Sequence, residues 1–438
     1  MADASFSKRR ARARWSLLRS ALLKGNGYIE CGSDNATRIN KIAASKAVSI
    51  HRFPGFRMLD RHTVGKLSSG HCREINFEGY ECAEYTMRLP MSETKICIRT
   101  REKIGDSAGS GKVNRGALLS HHIHGVDNTG NVRVWDSEST LTYCLLTGAN
   151  LAAKFAGPEN IFLPLGLENV LSLATEDTSP GGRGNTLRVV ELGAGMAGIG
   201  GLALAAAADA GLSSGIHVEV LLTDGHPFCV ENNRINSLLT LSAHQNVASK
   251  IDDGFNPEIR SEVKCRLLRW ANNSYGAEEC ALMTSRNRRS FDLCLVSDCT
   301  HFQDFHSALM ATIGRLLRVG GVCILCQPHR GSSLNSFIKM LQKVNERCDE
   351  ERQRPEPLFN IMLLEKYNER VWNMHKSFLS ENENRPEEDT FSSGLGIPPY
   401  DPNIHYPHLL FLRKNRIYDE ALDTAVMVQH QEDRGLSP

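Results

Sequence analysis

Val189-Val190-Glu191-Leu192-Gly193-Ala194-Gly195-Met196-Ala197-Gly198 decides the fold of this 438-residue chain. A short β-branched strand runs straight into glycines, and a long Ala/Leu helix follows from about Gly200. Strand, glycine-rich turn and helix together form the unit that seats nucleotide cofactors, because the helix N-terminus and bare backbone face the ligand. Glycine allows that approach and takes positive φ without a Cβ clash. Gly193, Gly195 and Gly198 also fit the dinucleotide spacing G-x-G-x-x-G, which alone does not say which nucleotide binds.

Working outward, the alternation of strand and helix continues toward the C-terminus. Val218–Thr223 reads as a strand ending in Asp224-Gly225, Phe228–Leu239 as a helix, and Val263–Leu268 as a strand closed by Arg269-Trp270. Phe291–Val296 is a strand ending at Ser297-Asp298, and Phe305–Leu317 a helix ending at Gly320-Gly321. Val322–Cys326, Phe359–Tyr367 and His408–Leu412 are further strands, with a helix over Leu334–Val344. Near-continuous apolar strands between helices predict a parallel sheet covered on both faces. The polar stretches Thr175–Thr186, Ala271–Ser290, Asn345–Pro357 and Ser380–Asp401 read as exposed loops. On the N-terminal side, residues 48–135 read as short strands and turns. Phe77–Pro90 and Lys95–Arg99 show rough alternation, Asp127–Asn131 is a turn, and Val132–Trp135 is a short strand. Trp15, Leu18 and Leu22 share one face of a helix that begins in the basic run Lys8–Arg14. This helix packs on the core, serves as a nuclear-localisation patch, or binds a partner.

Bulk composition narrows the class. A formal net charge of +1 gives no global field for nucleic acid, and 41% hydrophobic with 23% charged residues is a soluble globular composition. No window reaches the roughly 18 apolar residues of a membrane-spanning helix. The 13 cysteines are odd in number and many lie in apolar runs, so reduced thiols in the cytoplasm or nucleus are expected. Cys323 and Cys326 sit three apart on a strand and face opposite sides, which excludes chelation of one ion. His121-His122-Ile123-His124 lacks a carboxylate or cysteine partner pattern and reads as a loop or edge strand. No metal site is expected.

In a doubly wound sheet the ligand lies outside the carboxyl ends of the strands. Here those ends carry Glu191, the glycines Gly193 and Gly195 with Ala194 between them, Asp224, Trp270, Ser297 and Asp298. Asp224 is placed to accept both ribose hydroxyls, and Trp270 to present a flat face to adenine. A carboxylate at Glu191 suits the ammonium of a methionine moiety and would repel a pyrophosphate. After Asp298 three more strands are visible, the last two as a terminal hairpin. The expected fold is therefore a doubly wound, Rossmann-like α/β sheet of the seven-stranded class I methyltransferase type, its last strand antiparallel, binding S-adenosyl-L-methionine. Ser297 would touch that donor. Asp298, with Phe302 and Phe305 just after it, could accept a hydrogen bond from an acceptor amine and hold it on the transfer axis. Ile397-Pro398-Pro399-Tyr400 mimics the Pro-Pro-aromatic motif of amine methyltransferases, but lies in a late insert and reads as loop proline.

The same residues, with others spread along the chain, resemble the calmodulin-lysine N-methyltransferase family within the seven-strand protein-lysine methyltransferases. The match runs through Ala13-Arg14-Trp15, Asp127-Asn128-Thr129-Gly130, Trp135 with Ser137-Glu138, Glu191–Gly195 and Leu222–Gly225. It continues through Leu268-Arg269-Trp270, Ser297-Asp298-Cys299-Thr300, Pro328-His329-Arg330-Gly331, Glu365-Lys366-Tyr367 and His405-Tyr406-Pro407. The resemblance implies trimethylation of a calmodulin lysine, with Trp135, Gly193–Gly195, Asp224, Trp270 and Ser297 lining the donor site. It implies that Asp298 opens an Asp-x-x-aromatic signature beside the substrate lysine. The fourth position of that signature is His301 here, and Phe302 follows; either ring could serve. Two alternatives stand beside this reading: a lysine methyltransferase of another protein, and a catalytically weak binding module of the same fold. Because calmodulin is acidic, Arg99–Lys103 and Lys8–Arg14 are candidate docking residues. The expected organisation is an N-terminal helix and β-rich extension over 1–130, the methyltransferase domain over 131–416, and an unpacked tail over 417–438. A monomer in cytoplasm and nucleus is expected.

Overall fold

The computed structural model describes residues 55–65, 75–89, 93–104, 130, 134–148, 164–174, 185–213, 215–248, 260–271, 290–352, 356–383 and 400–418. The Lys8–Leu23 helix, the His121–His124 run and the Asp127–Thr129 turn lie outside them.

The strand order of the large sheet is Ser261–Leu267 (β6), His217–Asp224 (β5), Thr186–Leu192 (β4), Phe291–Ser297 (β7), Leu317–Gln327 (β8), His408–Lys414 (β10) and Phe359–Leu364 (β9). β6, β5, β4, β7 and β8 pair in parallel. β10 is antiparallel to both β8 and β9, which is the reversed last strand of the class I methyltransferase sheet. Side chains alternate between two cores. Val189, Val220, Leu295 and Cys326 face one, against the helices Asp136–Thr147 (α1) and Ile199–Ala207 (α3). Val190, Leu221, Val296 and Cys323 face the other, against His306–Leu316 (α5) and Ser333–Arg352 (α6). Cys323 and Cys326 thus lie on opposite faces, and the described cysteines form no disulfide.

A second sheet, Asp60–Thr63 (β1), Tyr80–Arg88 (β2) and Lys95–Lys103 (β3), is an antiparallel meander. Among the described residues its β3 edge has no further strand partner. The helix Pro227–Ala248 (α4) takes that place with polar side chains four residues apart. The Arg99 N–H donates to Thr240 Oγ1 at 3.0 Å, the Arg101 N–H donates to Asn236 Oδ1 at 2.8 Å, and Asn232 Nδ2 donates to Arg101 O at 3.0 Å. A helix repeats every 3.6 residues, so an i, i+4 polar stripe runs along one edge and can stand in for a strand. Within Arg99–Lys103, Arg99 pairs with Glu84 at 2.8 Å, Arg101 stacks over Tyr80 at 4.5 Å, and Lys103 lies 5.4 Å over Phe228.

Four expectations are revised. Val134 and Trp135 end no strand; Trp135 is the N-cap of α1. Ten of the twelve α1 residues are buried, so the helix has no polar face to give a 3.6 period. α5 stops at Leu316 and β8 starts at once, so Gly320 and Gly321 lie inside a strand beside a register shift and do not end the helix. Two of the polar inserts are partly helical: α6 runs to Arg352, and Glu369–Glu383 forms a further helix (α7). Packing also continues past Arg416. Tyr418 is 1% exposed and seals the second core against Gly314, where an added Cβ would meet its ring at 2.7 Å.

Candidate functional site

β4, β5, β6 and β7 end at the same edge of the sheet, and the glycine turn lies across it. Gly193, Gly195 and Gly198 have φ of +66°, +56° and +55°. A Cβ on Gly193 would come within 2.6 Å of Cys299 Sγ and 3.4 Å of Trp270 Cζ2. One on Gly195 would come within 2.9 Å of Gly130 O. The turn is therefore walled by the strand ends on one side and by residue 130 on the other, and only bare backbone fits between them. Ala194, 3% exposed, anchors it through an N–H bond to Thr223 O at 2.9 Å.

Asp224 ends β5 with its carboxylate at the turn. Oδ2 accepts from Gly195 N–H at 2.9 Å, and Oδ1 accepts from His226 N–H at 2.7 Å. Behind the turn, Asn233 Nδ2 donates to Gly195 O at 3.0 Å, and Asn232 and Asn236 donate to Met196 O at 2.7 and 2.8 Å. The α4 asparagines thus hold the glycine turn with the same side chains that hold β3. Sequence reasoning missed them; their spacing within Asn232-Asn233-Arg234-Ile235-Asn236 was the available signal.

The Glu191 side chain lies at the start of the helix that follows the turn. Its Oε2 accepts from Gly201 N–H at 2.7 Å, and the residue is 2% exposed beneath the turn. Glu138 of α1 reaches the same helix N-terminus, its Oε1 accepting from Ile199 N–H at 3.0 Å. Burial pushes the Glu191 carboxyl up to about 7. Burial raises Glu138 well above the usual carboxylate range, and the Glu191 charge raises it further. Two carboxyls on the first turn of one helix complement its dipole, but cannot both ionise cheaply without water.

Ser297 ends β7, and its Oγ is buried with no hydrogen-bond partner among the described residues. Such an atom costs roughly 1–3 kcal/mol unless a partner arrives. Asp298 follows at φ +52°, a left-handed conformation that costs an L-residue on the order of 1 kcal/mol. Its carboxylate is held in a fork by Arg330: Nε donates to Oδ1 at 3.2 Å and Nη2 donates to Oδ2. The guanidinium carbon lies 6.0 Å over the ring of Trp135, so Arg330 brings Trp135 and Asp298 to one place. Arg330 itself had no role assigned from sequence. The loop after Asp298 is fixed by Thr300, whose N–H donates to Gln327 Oε1 at 3.1 Å and whose carbonyl accepts from Ser333 Oγ and lies 2.9 Å from His306 Nε2. Of the two candidate rings, His301 is exposed, while Phe302 is half-buried and meets Phe305 edge-on at 6.3 Å.

The edge gathers the expected strand-end residues, and the seven-strand order is that of the class I methyltransferase fold. Residues 127–344 match the sequence model of a lysine methyltransferase family. The chain is 25% identical over 399 residues to a calmodulin-lysine N-methyltransferase of Arabidopsis thaliana, covering 91% of this chain and 94% of that one. Among solved structures it is similar to a predicted O-methyltransferase from Agrobacterium tumefaciens, at 14% identity, TM-score 0.27, and coverage of 56% of this chain and 80% of that one. It is also similar to phosphoethanolamine N-methyltransferase 2 of Haemonchus contortus in complex with S-adenosyl-L-methionine. There the identity is 17%, the TM-score 0.25, and the coverage 57% of this chain and 53% of that one. This protein is an S-adenosylmethionine-dependent protein-lysine methyltransferase. The residues present fit that donor: a glycine cradle that a Cβ would fill, a strand-end carboxylate, an indole edge beside the cradle, and an orphaned buried hydroxyl.

Proposed function

We propose that the chain methylates a lysine of calmodulin, carrying it to the trimethylated state. The observation that carries the choice of substrate is the similarity to the plant calmodulin-lysine N-methyltransferase, which runs through 91% of the chain. When bound, S-adenosylmethionine supplies an electrophilic methyl on a sulfonium. Asp224 would hold the ribose hydroxyls, Trp270 would cover the adenine, and Ser297 Oγ would gain its missing partner. Glu191 acts from behind, through the helix start that carries the turn. Asp298 would accept a hydrogen bond from the incoming amine and orient its lone pair toward the methyl donor, so positioning and electrostatics would supply the acceleration. Phe302 and Phe305 exclude water from that amine, which favours its neutral, nucleophilic form. The enzyme acts as a monomer in cytoplasm and nucleus, where its thiols stay reduced.

The test is transfer of labelled methyl to calmodulin, with a cell lysate in parallel. Label on calmodulin that is lost in Asp298→Ala, while calorimetry still detects donor binding, supports the assignment. Label confined to another protein moves the substrate. Tight donor binding with no label anywhere identifies a binding module.

A further inference from the structure

Asp298 carries an internal cation. Arg330 engages both carboxylate oxygens in a fork, with the two side chains only 11% (Asp298) and 17% (Arg330) exposed. Among the described residues, Asp298 and Arg330 are the two non-glycine residues at positive φ, +52° and +50°. Backbone strain of this kind persists only where the surroundings impose it. They do so at Arg330: its N–H donates to Asn403 O at 2.8 Å, and the Gly331 N–H donates to Asn403 Oδ1 at 3.2 Å. Three separate segments, after β7, after β8 and before β10, therefore meet to build this pair.

A lysine ammonium entering the site needs the carboxylate that Arg330 covers. It is a compact point charge, whereas the guanidinium fork matches a carboxylate with two parallel bonds. Lysine alone does not displace it at equal strength. Displacement would also break a two-bond charge pair between two largely buried side chains, which is strongly unfavourable unless another carboxylate takes its place. A carboxylate next to the lysine in the substrate removes that obstacle. The ammonium takes Asp298, the guanidinium takes the substrate acid, and two ion pairs replace one.

We propose that Arg330 is a specificity-determining residue: it closes the acceptor position over Asp298 and yields it to lysines with an acidic neighbour. The inference rests on the reading of Asp298 as the acceptor-side carboxylate.

Two peptides that differ only in glutamate or glutamine beside one lysine test it. Their binding to the full chain, with S-adenosylhomocysteine in the donor site, is measured by calorimetry for wild type, Arg330→Met and Arg330→Lys. The wild type should bind the acidic peptide at least tenfold more tightly. In Arg330→Met the ratio should fall to within twofold, and the neutral peptide should bind more tightly than it does to wild type, because Asp298 is uncovered. A purely structural role would not improve any binding. Arg330→Lys should keep part of the preference. Undiminished preference in Arg330→Met, equal binding of both peptides to wild type, or binding of neither overturns the proposal. Should Arg330→Met fail to bind S-adenosylhomocysteine, Asn403→Ala serves instead: it loosens the Arg330 turn and should narrow the ratio, and an unchanged ratio overturns the proposal. A wild type that shows the expected ratio but transfers no methyl refutes the lysine reading and leaves the ion-pair exchange standing.

Discussion

Replacing Glu191 by Gln should flatten the pH dependence of stability on the alkaline side of pH 4.5. The carboxyl is buried, and its folded-state value is about 7 against an ordinary 4.5. A raised value means that the folded state binds the proton more tightly than the unfolded chain does. The stabilisation is complete below 4.5, where both states are protonated, and is lost as the pH rises to about 7. Each pH unit in that window is worth about 1.4 kcal/mol, so the loss is roughly 3 kcal/mol. Gln mimics the neutral acid: its carbonyl accepts from Gly201 N–H as Glu191 Oε2 does now. It has no proton to lose. Urea unfolding at several pH values between 4.5 and 8 therefore gives wild type and Glu191→Gln similar stability at the acid end, with the variant ahead by up to about 3 kcal/mol above pH 7. Parallel stability curves across the window would refute the argument, because they would mean that Glu191 is already ionised in the folded protein.

Three further outcomes follow from the glycine turn and its supports. Gly193→Ala puts a Cβ at 2.6 Å from Cys299 Sγ and at positive φ, and should cost about 1–3 kcal/mol of stability; Gly193→Ala combined with Cys299→Ala should recover part of this in thermal melts. Asn236→Ala removes the acceptor for Arg101 N–H and a donor to Met196 O, so it should cost about 2–3 kcal/mol and weaken donor binding in calorimetry without touching the donor; unchanged affinity would separate the small sheet from the site. Asp224→Ala leaves the Gly195 and His226 N–H groups without the carboxylate, and should abolish measurable donor binding; retained micromolar affinity would remove Asp224 from the site.

The large sheet was legible because its signals are local. An apolar strand followed by glycines, a helix repeat, and a polar residue at each strand end are read within ten residues, and parallel strands buried on both faces leave unbroken apolar runs. The terminal hairpin followed from counting strands. α1 was not legible, since a helix buried on every side carries no amphipathic period, and Gly320-Gly321 was misread because a strand with a register shift uses the same residues as a helix stop.

By itself, then, the sequence determined the seven-strand sheet and which residues stand on its carboxyl edge, because turn chemistry and periodicity are properties of neighbours along the chain. Only the tertiary structure decided what those residues face. Asp298 meets Arg330 across 32 residues, and β3 finds its missing edge partner in Asn236 across 135. Glu191 turns under the helix start instead of outward, because Gly201 N–H and the buried Glu138 wait there. Partnerships of this kind depend on how far apart packed layers come to lie, a distance set by the core side chains between them and by no single stretch of chain.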